Sequence, residues 1–241
     1  MSCAGFWPAG SMRYLDVVVA IFRKDLQAEV RSKEILGSMF VFAVLVLVIF
    51  NFTLSLDGER TRELGPGILW VAFIFSGVLG LNRTFASERE NRSLDGLKLA
   101  PVDRSAIYFA KLASNLTFML LSEALLLPLF GLFFNFNLLS DLAPAEFFTF
   151  LLVVVLGTVG YAAVGTTLAA IAANTTMREV MLPLLLFPVA VPVVIGASES
   201  TRILFQHDPL GNPWQWIRIL AVFAAIFMVV SWLTFEYVLE E

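Results

Sequence analysis

The sequence predicts an all-α, polytopic membrane protein: six transmembrane helices, an N-terminal interfacial helix, and a cytosolic coupling helix between spans two and three. Three observations predict it. Of 241 residues, 59% are hydrophobic and 15% charged, against about 45–50% and about 25% in soluble domains, an excess that a soluble fold of this size cannot bury. The apolar residues gather into six runs, each close to the length that crosses about 30 Å of hydrocarbon at 1.5 Å per helical residue. Ten of the charged residues fall in one stretch, Asn82 to Lys111, and charges are costly at the centre of a bilayer.

Residues 1–12 read as a flexible start, with no signal-peptide pattern because Val17–Phe22 is short and meets Arg23-Lys24-Asp25 at once. Residues 14–33 read as an amphipathic helix on the membrane surface, with Leu15, Val18, Val19, Phe22 and Leu26 on the apolar face. A soluble partner-binding helix is the alternative.

Span one follows over 36–56, then a polar turn at Asp57–Glu63. Span two covers 64–81 and opens on Gly65-Pro66-Gly67, where a proline is tolerated in a first helical turn. The coupling segment spans about 83–105. Within it Ser87 and Glu90 have the form of a capping box that starts a short helix. Pro101 ends that segment, and Asp103 is positioned to cap the next helix.

The remaining spans read as 112–134, 147–172, 180–197 and 214–238, with Glu199–Asn212 as a polar loop. Span four is rich in small residues (Gly157, Gly160, Gly165, Ala162, Ala163), which let helix backbones approach closely, so it belongs in the interior or at a subunit contact. Span five carries Pro183, Pro188 and Pro192, each of which removes a helical hydrogen bond.

Lys and Arg placement sets the orientation. Five (Arg13, Arg23, Lys24, Arg31, Lys33) precede span one, six lie between spans two and three, and Arg178 lies after span four. Only Arg60, Arg62, Arg202 and Arg218 fall on the other side. Both termini and the coupling segment are therefore expected in the cytosol.

The chain has no GxxxxGK[ST] loop, HExxH or GxSxG motif, so catalysis by this polypeptide alone is not expected. Its single cysteine, Cys3, excludes disulfides within one chain, and its single histidine, His207, excludes a histidine cluster. No metal site is expected. Glu123 is the one acid well inside a span, and reads either as an intramembrane polar site or as a carboxyl held at a helix contact by Ser122 or Asn115. His207 lies on the outer side; it reads either as a contact for haem or a metal brought by another protein, or as a solvated loop residue. Trp214, Trp216, Trp232 and Tyr237 flank span six as interfacial anchors.

Several motifs together resemble one family. They are Gly65-Pro66-Gly67-Ile68-Leu69-Trp70, then Arg83-Thr84-Phe85, then Glu88-Arg89-Glu90-Asn91-Arg92-Ser93-Leu94-Asp95-Gly96-Leu97, with Pro101 and Ala110-Lys111. Later come Leu156-Gly157-Thr158-Val159-Gly160, Gly165, Leu182-Pro183, Phe187-Pro188 and Val191-Pro192. The chain is similar here, over about 64–197, to the CcmB family of permeases in cytochrome c maturation.

The resemblance implies a membrane subunit of an ABC-type complex in the cytoplasmic membrane. Its partners would be the ATPase subunit CcmA, which binds the ATP, together with CcmC and CcmD. It would have a functional link to the haem chaperone CcmE, with haem as cargo. Membrane lipid is a further partner, and nucleic acid is not one. In this reading Glu88, Arg89, Glu90, Ser93, Leu94, Asp95 and Leu97 dock on the ATPase and couple it to the spans. The alternatives are an ABC permease for another hydrophobic or lipid-linked substrate, or a scaffold that transports nothing.

Overall fold

The computed structural model describes residues 14–54, 58–90, 103–138, 140–173, 175 and 177–238; side chains at 58, 85–90, 178 and 236–238 lie outside the description. Seven helices follow one another: α1 (Tyr14–Ser32), α2 (Glu34–Leu54), α3 (Gly58–Glu90), α4 (Arg104–Phe134), α5 (Pro144–Ala173), α6 (Arg178–Gln206) and α7 (Pro213–Val238). No strand occurs among the described residues. Helices α2 to α7 are each long and apolar enough to cross a membrane, and the protein is a multi-pass membrane protein.

Two helices form the centre. Of the most apolar stretch of α3, 72% is buried, and of α5 56%, against 17% for α2 and 22% for α7. α5 packs against α3, α4, α6 and α7, and α3 packs against α2, α4, α5 and α6. The small residues of α5 explain its position. A methyl group at Gly157 would stand 2.6 Å from Trp70 Cη2, and one at Gly160 would stand 3.1 Å from Phe223. Only glycine admits a neighbour as close as Trp70 is to Gly157, and Gly160 lies in a tight contact, so span four sits in the interior.

Helix ends follow local chemistry. The Asp103 side chain accepts from Ser105 N at 2.9 Å and starts α4, as expected of that residue. Asn135 and His207 close α4 and α6 in left-handed conformations, both with φ 50°. Lys33, with φ 55°, separates α1 from α2. Across that break Glu29 accepts from Ile35 N (3.2 Å) and Leu36 N (2.8 Å), satisfying two first-turn amides of α2.

Several boundaries differ from expectation, for one reason: polar helix formers extend a helix that already exists, because elongation is far easier than nucleation. α3 starts at Gly58 rather than after Glu63, so Pro66 lies inside the helix and not in its first turn. Its far end runs unbroken through Glu90, so Ser87 is a helical residue and not an N-cap. α6 continues past 197 to Gln206, where Arg202 bonds Glu199 at 2.7 Å and Gln206 at 2.8 Å one turn apart. α4 begins at Arg104, which places Lys111 inside a membrane-crossing helix.

Candidate functional site

The end of the bundle where α3 stops and α4 starts, here the near end, concentrates the charges. α1 lies against α4 there, and of the apolar face read from the sequence Val18 and Leu26 are partly buried against the core. Leu15 is 71% exposed, whereas the buried residues are Val17, Ile21, Asp25 and Glu29, spaced four apart. Two acids therefore sit on the packed face. Asp25 is neutralised where it lands: Lys111 Nζ lies 2.8 Å from its Oδ2, and Ser114 Oγ donates to the same oxygen at 3.0 Å. Lys24 approaches the other carboxylate oxygen at 3.3 Å. The Lys111 side chain is 1% exposed, and a buried charge persists only with such a partner. Tyr14 and Ser105 share a hydrogen bond of 3.0 Å farther along the same pair of helices.

The neighbouring helices are tied in as well. Arg83 on α3 lies 3.7 Å from Glu34 at the start of α2. One turn above the ion pair, Asn115 links three spans. Thr84 Oγ1 donates to its Oδ1 (2.8 Å), and its Nδ2 donates to Thr166 Oγ1 (3.0 Å). The near ends of α1 through α5 are thus joined through polar contacts, buried at Lys111 and Asn115 and exposed at Arg83.

Of the residues expected to couple to an ATPase, Glu88, Arg89 and Glu90 form the last turn of α3. Ser93, Leu94, Asp95 and Leu97 fall outside the described residues. At 33 residues, α3 is about 50 Å long by the helical rise, more than the roughly 30 Å of a hydrocarbon core. Its apolar run ends at Leu81, before Asn82-Arg83, so this last turn continues beyond that run.

Glu123 lies within α4, buried, and its partner is neither Ser122 nor Asn115. Thr158 of α5 is the contact, its hydroxyl oxygen 3.0 and 2.9 Å from the two carboxyl oxygens and 2.8 Å from the carbonyl of Val154. Asn115 is unavailable because Thr84 and Thr166 occupy it. No cluster of metal-ligating residues occurs among the described residues.

His207 is at the opposite, far end, where its Nδ1 lies 3.1 Å from Glu146 Oε1. That end is closed by stacked rings: Phe136 lies 4.3 Å from Phe205, and Phe130 lies 4.9 Å from Phe134. The structure does not bring Glu123 and His207 together with the near-end residues into one site.

The Asp25–Lys111 pair escaped the sequence reading, though a signal was present. Val17, Ile21, Asp25 and Glu29 form one line at a spacing of four, which puts the two acids on the same helix face as two apolar residues. Nothing in the sequence named that partner.

Comparison with known proteins bears on the same helices. Heme exporter protein B of Rhodobacter capsulatus is 29% identical over 184 residues, covering 76% of this chain and 81% of that protein. Its counterpart in Pseudomonas aeruginosa is 27% identical over 210 residues, covering 87% and 91%. Heme exporter protein B of Bradyrhizobium diazoefficiens is 26% identical over 213 residues, covering 86% and 91%. The sequence profile described as CcmB protein matches residues 16–240, from within α1 to the last residues of the chain. The chain belongs to the CcmB protein family.

Proposed function

We propose that the protein is the membrane permease subunit of an ABC-type complex for cytochrome c maturation. In it, ATP hydrolysis by a separate ATPase subunit, CcmA, drives haem export or release through the chaperone CcmE, with CcmC and CcmD in the same assembly. The family and the shared name of the relatives support the haem role. The chain is one permease domain in the cytoplasmic membrane with both termini in the cytosol, a reading supported by the placement of Lys and Arg.

One observation supports the coupling role: α3 continues as a single helix past its apolar run, which ends at Leu81, to Glu90. A force on Glu88 to Glu90 passes directly into α3, and the segment to Leu97 leads on in sequence to α4. Charges at Glu88, Arg89, Glu90 and Asp95 set the register on the ATPase, Ser93 adds a polar contact, and Leu94 and Leu97 fill its apolar groove. Glu123 and His207 are secondary candidates, one as a polar contact between α4 and α5, the other as an outer-side contact for haem or a partner.

The test is a haem stain of membrane proteins from cells lacking this gene, with and without complementation. Loss of all c-type cytochromes, with haem retained on the chaperone, is the expected result. Normal cytochromes would leave a six-span permease of another substrate.

A further inference from the structure

A cleft of about 690 Å³ opens at the near end between α2, α3 and α6. Its lining changes character with depth. Ser38, Asn82, Arg83 and Glu179 stand at one end, and Phe42, Phe75, Val78, Pro183 and Phe187 stand one or two helical turns deeper. Each turn is about 5 Å, so a polar rim passes into an apolar, aromatic trough over roughly 10 Å. Phe75 is held between the other two rings, 5.0 Å from Phe187 and 6.3 Å from Phe42. It is nevertheless 42% exposed.

The gradient is that of one membrane leaflet, with headgroup above and acyl chain below. Among the described residues the rim carries both signs, Arg83 as cation and Glu179 as anion. Arg83 is only loosely held by Glu34, at 3.7 Å, with both side chains more than half exposed. A purely anionic headgroup would meet Arg83 but also the carboxylates of Glu34 and Glu179. A headgroup with a phosphate and a primary ammonium satisfies both signs at once, because guanidinium pairs with phosphate and carboxylate with ammonium.

We propose that this cleft seats one phosphatidylethanolamine-type lipid, with its phosphate on Arg83, its ammonium on Glu179 and an acyl chain against Phe42, Phe75 and Phe187. The seat depends only on the cleft, and holds whether or not the chain serves cytochrome maturation.

The test is native mass spectrometry of the protein extracted from membranes and stripped of lipid. Dioleoyl-phosphatidylethanolamine, dioleoyl-phosphatidylglycerol and haem are then added separately and in competition. A single phosphatidylethanolamine adduct is expected, retained about tenfold better than phosphatidylglycerol, the scale of one charge-assisted hydrogen bond. Glu179→Gln should remove that preference, because only phosphatidylethanolamine carries an ammonium, whereas Arg83→Ala should weaken the adducts of both lipids and Arg83→Lys should keep most of the binding. Leu79 also lines the cleft, and Leu79→Trp, which fills the trough, should abolish the adduct; where that variant fails to fold, the two rim variants decide, since both positions are exposed. Equal retention of the two lipids, or an adduct indifferent to Arg83 and Glu179, would mean ordinary annular lipid and overturn the proposal. Displacement of the lipid by haem at equal concentration would overturn it too, and make the cleft a haem site.

Discussion

Lys111 Nζ and Asp25 Oδ2 meet 2.8 Å apart although 86 residues separate them in the chain. The contact fastens a helix that precedes the first span to the helix that follows the charged segment. Removing one member of a buried pair leaves the other charge unpaired, at a cost of about 3–5 kcal/mol. Lys111→Met and Asp25→Asn should each lower stability by about 3 kcal/mol, measured by denaturation in mixed micelles. The double variant should cost clearly less than the sum of the two, because neither charge is then stranded. Additive losses would show that the two side chains do not act on each other.

Gly157 and Gly37 make opposite predictions from one substitution. A Cβ at Gly157 would press on the Trp70 ring at 2.6 Å, and that ring is pinned where its indole N–H donates to Thr201 at 3.0 Å. Gly157→Ala should therefore cost about 1–3 kcal/mol, the usual range for overpacking. At Gly37 nothing lies within 4 Å. Gly37→Ala should be neutral or stabilise α2 by up to about 1 kcal/mol through helix propensity. Thermal melts of the two variants side by side check this, and similar behaviour would contradict the packing of α5 against α3.

The six spans and the interior place of α5 were legible because hydropathy and small-residue content are local properties. The helix ends were less so. Ser87 to Glu90 reads as a helix start in isolation, yet α3 arrives already formed and absorbs it. Pro66 reads as a first-turn residue, yet the polar residues before it also join the helix. Pairings were the least legible. Glu123 had three hydroxyl or amide partners within plausible reach along the sequence and across the bundle, and only packing selects Thr158 of α5. Asp25 and Lys111 each read as an ordinary surface charge until the two helices are placed together.

Orientation can be read with cysteine labelling, after Cys3→Ser removes the one native thiol. Leu210 is 94% exposed in the loop between α6 and α7. In the proposed topology, Leu210→Cys should react with an impermeant maleimide from the outer side of intact cells. Ser93→Cys should react only after the membrane is opened. The reverse pattern would invert the topology, and with it the side on which an ATPase could bind.

The coupling role makes the sharpest demand on Glu88 and Glu90. Both lie in the last turn of α3, past the apolar run that ends at Leu81, so a charge reversal there need not disturb the packing of the spans. Exposed ion pairs contribute about 1 kcal/mol or less to stability, yet like charges brought face to face at an interface cost several kcal/mol. Glu88→Lys together with Glu90→Lys should therefore leave the protein inserted and as heat-stable as before. It should lower ATP-dependent release of the haem chaperone by more than about tenfold, a loss of about 1.4 kcal/mol or more at the interface. Arg31→Ala is the matched control, because it alters an exposed charge on α1, outside the coupling segment and the lipid cleft. Wild-type haem release by the double variant would rule out these carboxylates as the coupling contact; equal loss in the control would mean that any charge change at this end of the bundle is disruptive, and that the two glutamates have no specific role.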